Sequence, residues 1–410
     1  MIIERYKAKS LIRTSVPSLF SWAEAYLNPY QGCHHNCSYC DGKADNYHMH
    51  DDFADRIRVK INAPFLLEQY LQKRGFFPSR AKIASVTDFF PHLKIARPGR
   101  AGKFIFYVGG GVCDVYQPAE KDVKLTRKLL EIIYDYGFPV HILTKNKLVL
   151  EDLDLLKRIN QDNYACVNFT ITLADDKVQE VFEPGASPTS ERFAAIKKLR
   201  EEGIHSGVYF YPVLPFIGDT DDNMQAIYKQ AKKAGAEFVY CWGLSLKPGR
   251  NKQEFMQTVQ KHYPDLLTKY ERLYGNNNKY GNLDYEQFKE MGLIWPEIKA
   301  FKLCHEFGLG YTAKRYVPAG RIQTNLQVAE MLWKISHVKA NILQQSIFET
   351  RKINQAAYFI EKYRYNLSRV KIEELPVTKK VHPYIKEFLE ENKSIYLENL
   401  EEEAYRSISH

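Results

Sequence analysis

No window of the 410-residue chain approaches the roughly 18 uninterrupted apolar residues of a membrane span. The opening stretch "MIIERYKAKSLIRTS" mixes charge with short apolar pieces where a secretory leader would carry an apolar core. We therefore expect a cytoplasmic protein with no membrane partner. Low-complexity tracts are also missing, and 45% hydrophobic with 26% charged residues is ordinary for a globular chain. Cysteine is scarce: seven in all, an odd and mostly scattered set that makes a poor disulfide framework. A chain of this length builds a core without such staples. The net charge of +9 permits an anionic partner without demanding one.

Against that scarcity, "QGCHHNCSYCDG" (31–42) places Cys33, Cys37 and Cys40 within eight positions, whereas Cys113, Cys166, Cys241 and Cys304 stand alone. Thiolates are soft ligands that select iron-sulfur clusters or zinc over calcium and magnesium. The C-x3-C-x2-C spacing fits one loop wrapped around a cluster. Zinc is the alternative, with a fourth ligand from His34, His35, His48 or His50, but no second arm of the usual paired kind is visible. Three cysteines on a four-iron cluster leave one iron without a protein ligand, and an open iron is a place to bind something.

From about residue 104 short β-branched or aromatic runs alternate with amphipathic stretches, the pattern of repeated βα units on a parallel sheet. "KFIFYVGGG" (103–111), "PVHILTK" (139–145), "ACVNFTITL" (165–173), "SGVYFYPVL" (206–214) and "EFVYCWGLSL" (237–246) read as strands. Leu125, Leu129, Ile132, Ile133 and Tyr136 share one helical face that stops at Gly137. Ser187 and Pro188 mark the cap and first residue of another helix. With "AYLNPYQGC" as a first strand there are six units, too few for a closed eight-fold barrel. The expected fold is therefore α/β, a partial (β/α)6 TIM-like barrel with an α-helical C-terminal extension. We expect a core over 1–250 and a mainly helical region over 251–410, since "NLQVAEMLWKISHVKANILQQSIFETRKINQAAYFIEKYRYNL" is helical by composition and period.

The stretch "NPYQGCHHNCSYC" resembles the cluster loop of radical S-adenosylmethionine (SAM) enzymes, specifically the branch that includes spore photoproduct lyase. That resemblance continues in order through "CDVYQPAEKDVKLTRKLLEII" (113–133), "ILTKNKLVLEDLDLL" (142–156), "FEPGASPTSERFAAIKKL" (182–199) and "YPVLPFIGD" (211–219). It covers about residues 25–250. It implies a 4Fe-4S cluster on Cys33, Cys37 and Cys40, with SAM chelating the fourth iron. Reductive cleavage would then give a 5'-deoxyadenosyl radical that abstracts hydrogen from a substrate, and a reductant such as flavodoxin or ferredoxin would supply the electron.

The resemblance also assigns secondary roles. Tyr39 matches an aromatic position near the adenine. Gly109, Gly110 and Gly111 match a turn that meets the amino group of SAM, although the common Gly-Gly-Glu form is not kept. Lys145, beside Thr144, matches a lysine that contacts the SAM carboxylate. Asn168, Thr170 and Thr172 alternate along one strand and would face one side of the sheet together. They are candidates for the ribose hydroxyls or are strand-forming residues. Glu183 and Arg192 suggest an ion pair that shapes the pocket. Cys113 falls where the lyase has a serine near SAM, while the lyase's hydrogen-donating cysteine falls on Gly111, which weakens any claim to thymine-dimer repair. Cys113, Tyr107 and Tyr116 are the candidates for carrying a hydrogen atom.

Residues 73–103 carry eight Lys or Arg against the single acid Asp88, together with Phe76, Phe77, Phe89 and Phe90. Such a mix suits phosphates and bases, so nucleic acid is a candidate partner. A solvated loop with a small hydrophobic anchor is the other reading. A non-catalytic zinc- or cluster-bearing nucleic-acid-binding protein is the alternative function, and within the enzyme reading so is modification of a protein or small molecule.

Overall fold

The computed structural model describes residues 2–78, 103–109, 112–276, 278–318 and 322–409. Most of the basic stretch 73–103, and Gly110 and Gly111, lie outside the described residues. Ten strands occur among those described: β1 (Ile2–Tyr6), β2 (Ile12–Thr14), β3 (Ala25–Leu27), β4 (Tyr30–Gln31), β5 (Arg56–Lys60), β6 (Phe106–Val108), β7 (Val140–Thr144), β8 (Ala165–Thr170), β9 (Val208–Val213) and β10 (Val239–Gly243). The main sheet runs β10-β9-β8-β7-β6-β3-β2, with β3 and β6 to β10 parallel and β2 antiparallel at one end. All six strands expected from the βα pattern are in it.

The first of them differs in detail. The segment 25–33 is not one strand: Asn28 and Pro29 break it, so that β3 joins the main sheet while β4 pairs with β5 in a second sheet, β1-β5-β4. Proline has no N–H for a ladder, and the Asn28 side chain takes the N–H of Tyr30 at 2.9 Å, fixing the turn that launches the cysteine loop.

One side chain reveals how strongly the main sheet curls. The ring of Phe20 lies 5.8 Å from Tyr107 on β6, 5.2 Å from Tyr209 on β9 and 5.6 Å from Tyr240 on β10. In a flat sheet β6 and β10 would stand about 19 Å apart, four spacings of about 4.8 Å. One ring bridges them because the sheet bends round it, and its ends, β2 and β10, do not join. The result is an open, incomplete barrel.

Its inner face is aromatic and polar rather than aliphatic. Tyr26 stacks on Tyr107 at 4.9 Å and Tyr107 on His141 at 5.0 Å, from three neighbouring strands in register. Outward-facing residues of the same strands, Phe106, Val140, Val167, Val208 and Val239, pack with Leu129, Ile133, Leu156, Ile159, Ile196, Leu199 and Ile227 of the surrounding helices. Helix Leu125–Asp135 ends as its sequence predicts, with Gly137 at φ 68. Two helices follow β8, Asp176–Phe182 and Thr189–Glu201; Pro188 is the cap of the second rather than its first residue, and Ser187 instead accepts the Lys147 N–H at 3.0 Å.

Beyond Gly243 no strand occurs among the described residues. Helices Arg250–His262 and Leu267–Tyr274 supply Phe255, Val259, Tyr270 and Tyr274 to a cluster with Cys37, Tyr39, Phe182 and Leu214, roofing the side on which the cysteine loop sits. Helices Gln323–His337, Ile347–Lys362, His382–Glu391 and Ile395–Ser409 build a separate core around Leu332, Ile335, Ile360 and Ile385. No described helix is long and apolar enough to cross a membrane.

Candidate functional site

The C-terminal ends of the strands surround a cavity of about 480 Å³. Cys33, Cys37, Cys40, Tyr39, His35, Gly109, Cys113, Asp114, Thr144, Lys145 and Thr170 all line it. The parts arrive from separate strand ends: the cysteine loop after β3 and β4, Gly109 after β6, Lys145 after β7 and Thr170 at the end of β8.

The loop is clamped on three sides. Cys33 N–H donates to Phe53 O at 2.9 Å and Ser38 N–H to Phe182 O at 2.9 Å. Buried Gln117 straps it from within: its amide donates to Gly32 O at 3.0 Å and accepts the His34 N–H at 3.0 Å. Asn28 donates to Cys113 O at 2.5 Å, tying the loop's root to the segment after β6. On the third side Gly185 N–H donates to His35 O at 3.0 Å, so close that a Cβ on Gly185 would sit 2.0 Å from His34 O. Only glycine permits that approach.

All three loop thiols are at least nine-tenths buried or line the cavity, and burial pushes each pKa up: Cys33 well above its ordinary value, Cys37 to about 12, Cys40 upward. Free thiols in this wall are therefore protonated at neutral pH, and a metal group must displace the protons to bind. Among the described residues no three His, Cys, Asp or Glu side chains converge on a single ion-sized point. The three thiols line one cavity wall, and soft sulfur donors carried on one loop fit an iron-sulfur cluster. Near them, three buried polar atoms have no hydrogen-bond partner among the described residues: His35 Nδ1, Ser38 Oγ and Asp41 Oδ1. Soft donors together with orphaned polar atoms fit an iron-sulfur cluster and a polar ligand beside it.

Behind the wall lies a buried charge network. Glu183, fully buried, accepts from Tyr39 OH, from Lys145 Nζ at 3.0 Å, and pairs with Arg192 at 2.5 Å. Burial pushes its carboxyl up, but Arg192 and Lys145, aided by the hydrogen bonds from Tyr39 and Lys145, overcome this and hold it at about 2. The expected Glu183–Arg192 pair is present. Arg192 also donates to Thr170 O at 2.8 Å and Ser187 O at 2.7 Å, which locks the strand end to the helix.

Asp114 was not singled out by sequence. It receives Thr144 Oγ1 at 2.8 Å, Lys145 N–H at 2.7 Å and Tyr116 N–H at 2.8 Å, and lies 3.4 Å from His35 Nδ1. Burial holds the pKa of His35 down at about 4, against the opposing pull of Asp114, so the ring is neutral. The cavity wall thus offers an ammonium, Lys145, and a carboxylate, Asp114, side by side, the complement of an amino acid's zwitterionic end. Lys145 was already marked by the motif resemblance, whereas the only trace of Asp114 in the sequence is its position after the C-terminal end of a strand.

Two expected residues are elsewhere. Tyr116 turns away from the cavity and donates to Asp152 at 2.9 Å, because its N–H is taken by Asp114 and its ring packs in the outer core. Asn168 sits one step deeper in the barrel, bonded to His141 Nε2 at 3.0 Å and to Gly207 N–H at 2.9 Å, and does not line the cavity. Tyr107 and Cys113 do line it, both buried. Thr172 meets Tyr39 OH at 3.4 Å.

An open parallel barrel with a three-cysteine wall at its strand C-termini defines a radical SAM-type architecture. The model of the radical SAM superfamily matches residues 27–231, half of the chain, and the chain belongs to that superfamily. Among its relatives, an uncharacterised protein of Mycobacterium tuberculosis is 25% identical over 252 residues, 60% of this chain and 66% of that one. The chain thus spans about two thirds of that relative's length. An uncharacterised protein of Methanocaldococcus jannaschii is 28% identical over 264 residues, 64% and 84% of the two chains. A radical SAM Nalpha-GlyT isomerase of Pseudomonas phage M6 is 24% identical over 184 residues, 43% and 36% of the two. Among solved structures, spore photoproduct lyase complexed with dinucleoside spore photoproduct aligns at a TM-score of 0.48 and 18% identity, covering 74% of this chain and 79% of that one.

Proposed function

We propose that this chain is a radical SAM enzyme whose Cys33, Cys37 and Cys40 hold a 4Fe-4S cluster and whose cavity takes SAM beside it. Bound there, the two cofactors supply reductive cleavage of the sulfonium and a deoxyadenosyl radical that abstracts hydrogen. The protein's share is placement. Lys145 receives the methionine carboxylate and Asp114 the ammonium, each already held in position by neighbours. Tyr39 and Thr170 border the nucleoside side. Phe20, Tyr107, Tyr211 and Tyr240 form an aromatic floor whose rings limit water at the reacting carbon. Cys113 and Tyr107 are the hydrogen-bearing side chains within reach of the cavity. A small reductant of the flavodoxin or ferredoxin type provides the electron.

The observation that carries this reading is the meeting of the three loop thiols with Lys145 and Asp114 on one cavity wall. Resemblance of the motif blocks to the lyase branch supports a nucleic acid as the substrate. Anaerobic reconstitution with iron and sulfide tests the whole. The expected product is a brown protein with a cluster EPR signal that converts SAM to 5'-deoxyadenosine under dithionite. A colourless protein that takes up zinc instead would overturn it.

A further inference from the structure

Both free ends of the curled sheet reach the cavity. Arg13 stands on β2 at one end, and Tyr240 and Trp242 stand on β10 at the other. The lower part of the gap between them is closed: Trp22 Nε1 donates to Ala313 O at 2.8 Å and Thr312 Oγ1 to Leu19 O at 2.7 Å. Arg13 and Trp242, one from each free end of the sheet, both line the cavity.

Neither side chain has an ion-pair or hydrogen-bond partner among the described residues. Among the described residues Arg13 has no carboxylate partner, and its guanidinium lies 5.2 Å over the ring of Tyr26. Trp242 is 43% exposed, and its indole N–H donates to no described residue. Tyr47, 38% exposed, lines the same cavity. The backbone edge of β10 is not on offer: Gly243 N–H is taken by Glu297 at 3.1 Å, and Phe238 is bridged to Gly310. Whatever enters therefore meets side chains, not a strand to pair with.

The two side chains ask for different chemistry. An exposed indole presents a flat apolar face suited to stacking. A guanidinium presents a planar fork of donors suited to phosphate. A ligand that satisfies both carries planar rings and anionic groups on one strand. We propose that Arg13 and Trp242 form a nucleotide-binding rim of the cavity, Trp242 stacking a base of the substrate strand and Arg13 holding a phosphate of the same strand. This rests on the radical SAM reading of the cavity and adds the unit that the enzyme grips: a single-stranded or flipped-out nucleotide rather than a base within a duplex.

The test is titration of the oligonucleotide dT4 into the reconstituted protein, followed by calorimetry at several salt concentrations. Replacing Trp242→Ala should weaken binding about tenfold or more, the usual loss of one base–aromatic stack. Replacing Arg13→Ala should weaken it and lower the slope of log affinity against log salt by about 0.7, one phosphate's share on a single strand. Both residues are exposed, so neither variant threatens the fold. Wild-type SAM cleavage is read in parallel, and its failure sinks the radical SAM reading by itself. Absent dT4 binding at low salt, or an affinity that neither substitution moves, overturns the subsite while leaving that reading intact.

Discussion

Lys145 Nζ lies 3.0 Å from Glu183 Oε1, and the same carboxylate accepts the hydroxyl of Tyr39, the residue just before the third cysteine of the loop. The ammonium facing the cavity and the loop that carries the thiols are thus referenced to one buried carboxylate, which Arg192 neutralises from behind.

Replacing Glu183→Gln leaves Arg192 buried without its counter-charge. We expect a loss of about 3–5 kcal/mol in urea unfolding at neutral pH, the usual cost of breaking a buried pair. The sign with pH follows from the depressed carboxyl. Wild-type stability from this group is complete above the unfolded value near 4.5 and drains away as pH falls toward about 2. The wild type and the glutamine variant should therefore converge in stability under acid; a constant gap down to pH 2 would refute the assignment.

Replacing Gly185→Ala forces a Cβ against the His34 carbonyl. Helix Thr189–Glu201, which follows Gly185, is fixed by Arg192, so the cysteine loop must yield. Iron and sulfide content per chain should drop several-fold after reconstitution, with the far-ultraviolet CD spectrum retained. Full cluster loading in this variant would show that the loop does not depend on the close approach.

Lys145→Met removes the ammonium that faces the proposed carboxylate. A hydrogen bond between charged groups contributes about 1.5–3 kcal/mol, so SAM affinity should fall roughly ten- to hundredfold while the cluster still assembles. Equilibrium dialysis with labelled SAM measures it. Unchanged affinity would place the carboxylate elsewhere.

Three buried histidines make the fold acid-sensitive before any carboxylate does. Burial lowers His35 to about 4, His141 to about 3 and His337 to about 4, all from 6.5. The unfolded chain binds these protons first, so stability is fully present above pH 6.5 and is lost as pH falls from there toward 4. The urea midpoint should decline across that window, with net proton uptake on unfolding. A flat midpoint between pH 6.5 and 4.5 would contradict it.

The six parallel strands could be placed from sequence because their inward and outward residues follow the period of a sheet and their helices the period of a helix. The spacing of Cys33, Cys37 and Cys40 likewise placed three thiols in one loop, since neighbours in the chain are neighbours in a loop. Pairings across the chain left no such mark. Gln117 strapping Gly32 and His34, and Asp114 gathering Thr144 and Lys145, depend on which strand ends stand side by side. Tyr116 and Asn168 had the right residue types at plausible positions, yet their side chains went to Asp152 and His141.

Local periodicity and the crowded cysteines are properties of short stretches, so the amino-acid order determined the α/β class, the incomplete barrel and the loop that carries the thiols. Only the folded chain decided that the sheet bends round Phe20, that Lys145 and Asp114 face the thiols, and that Arg13 and Trp242 line one cavity. Those relationships join residues up to hundreds of positions apart, and sheet curvature, a collective result of packing, is what brings them together.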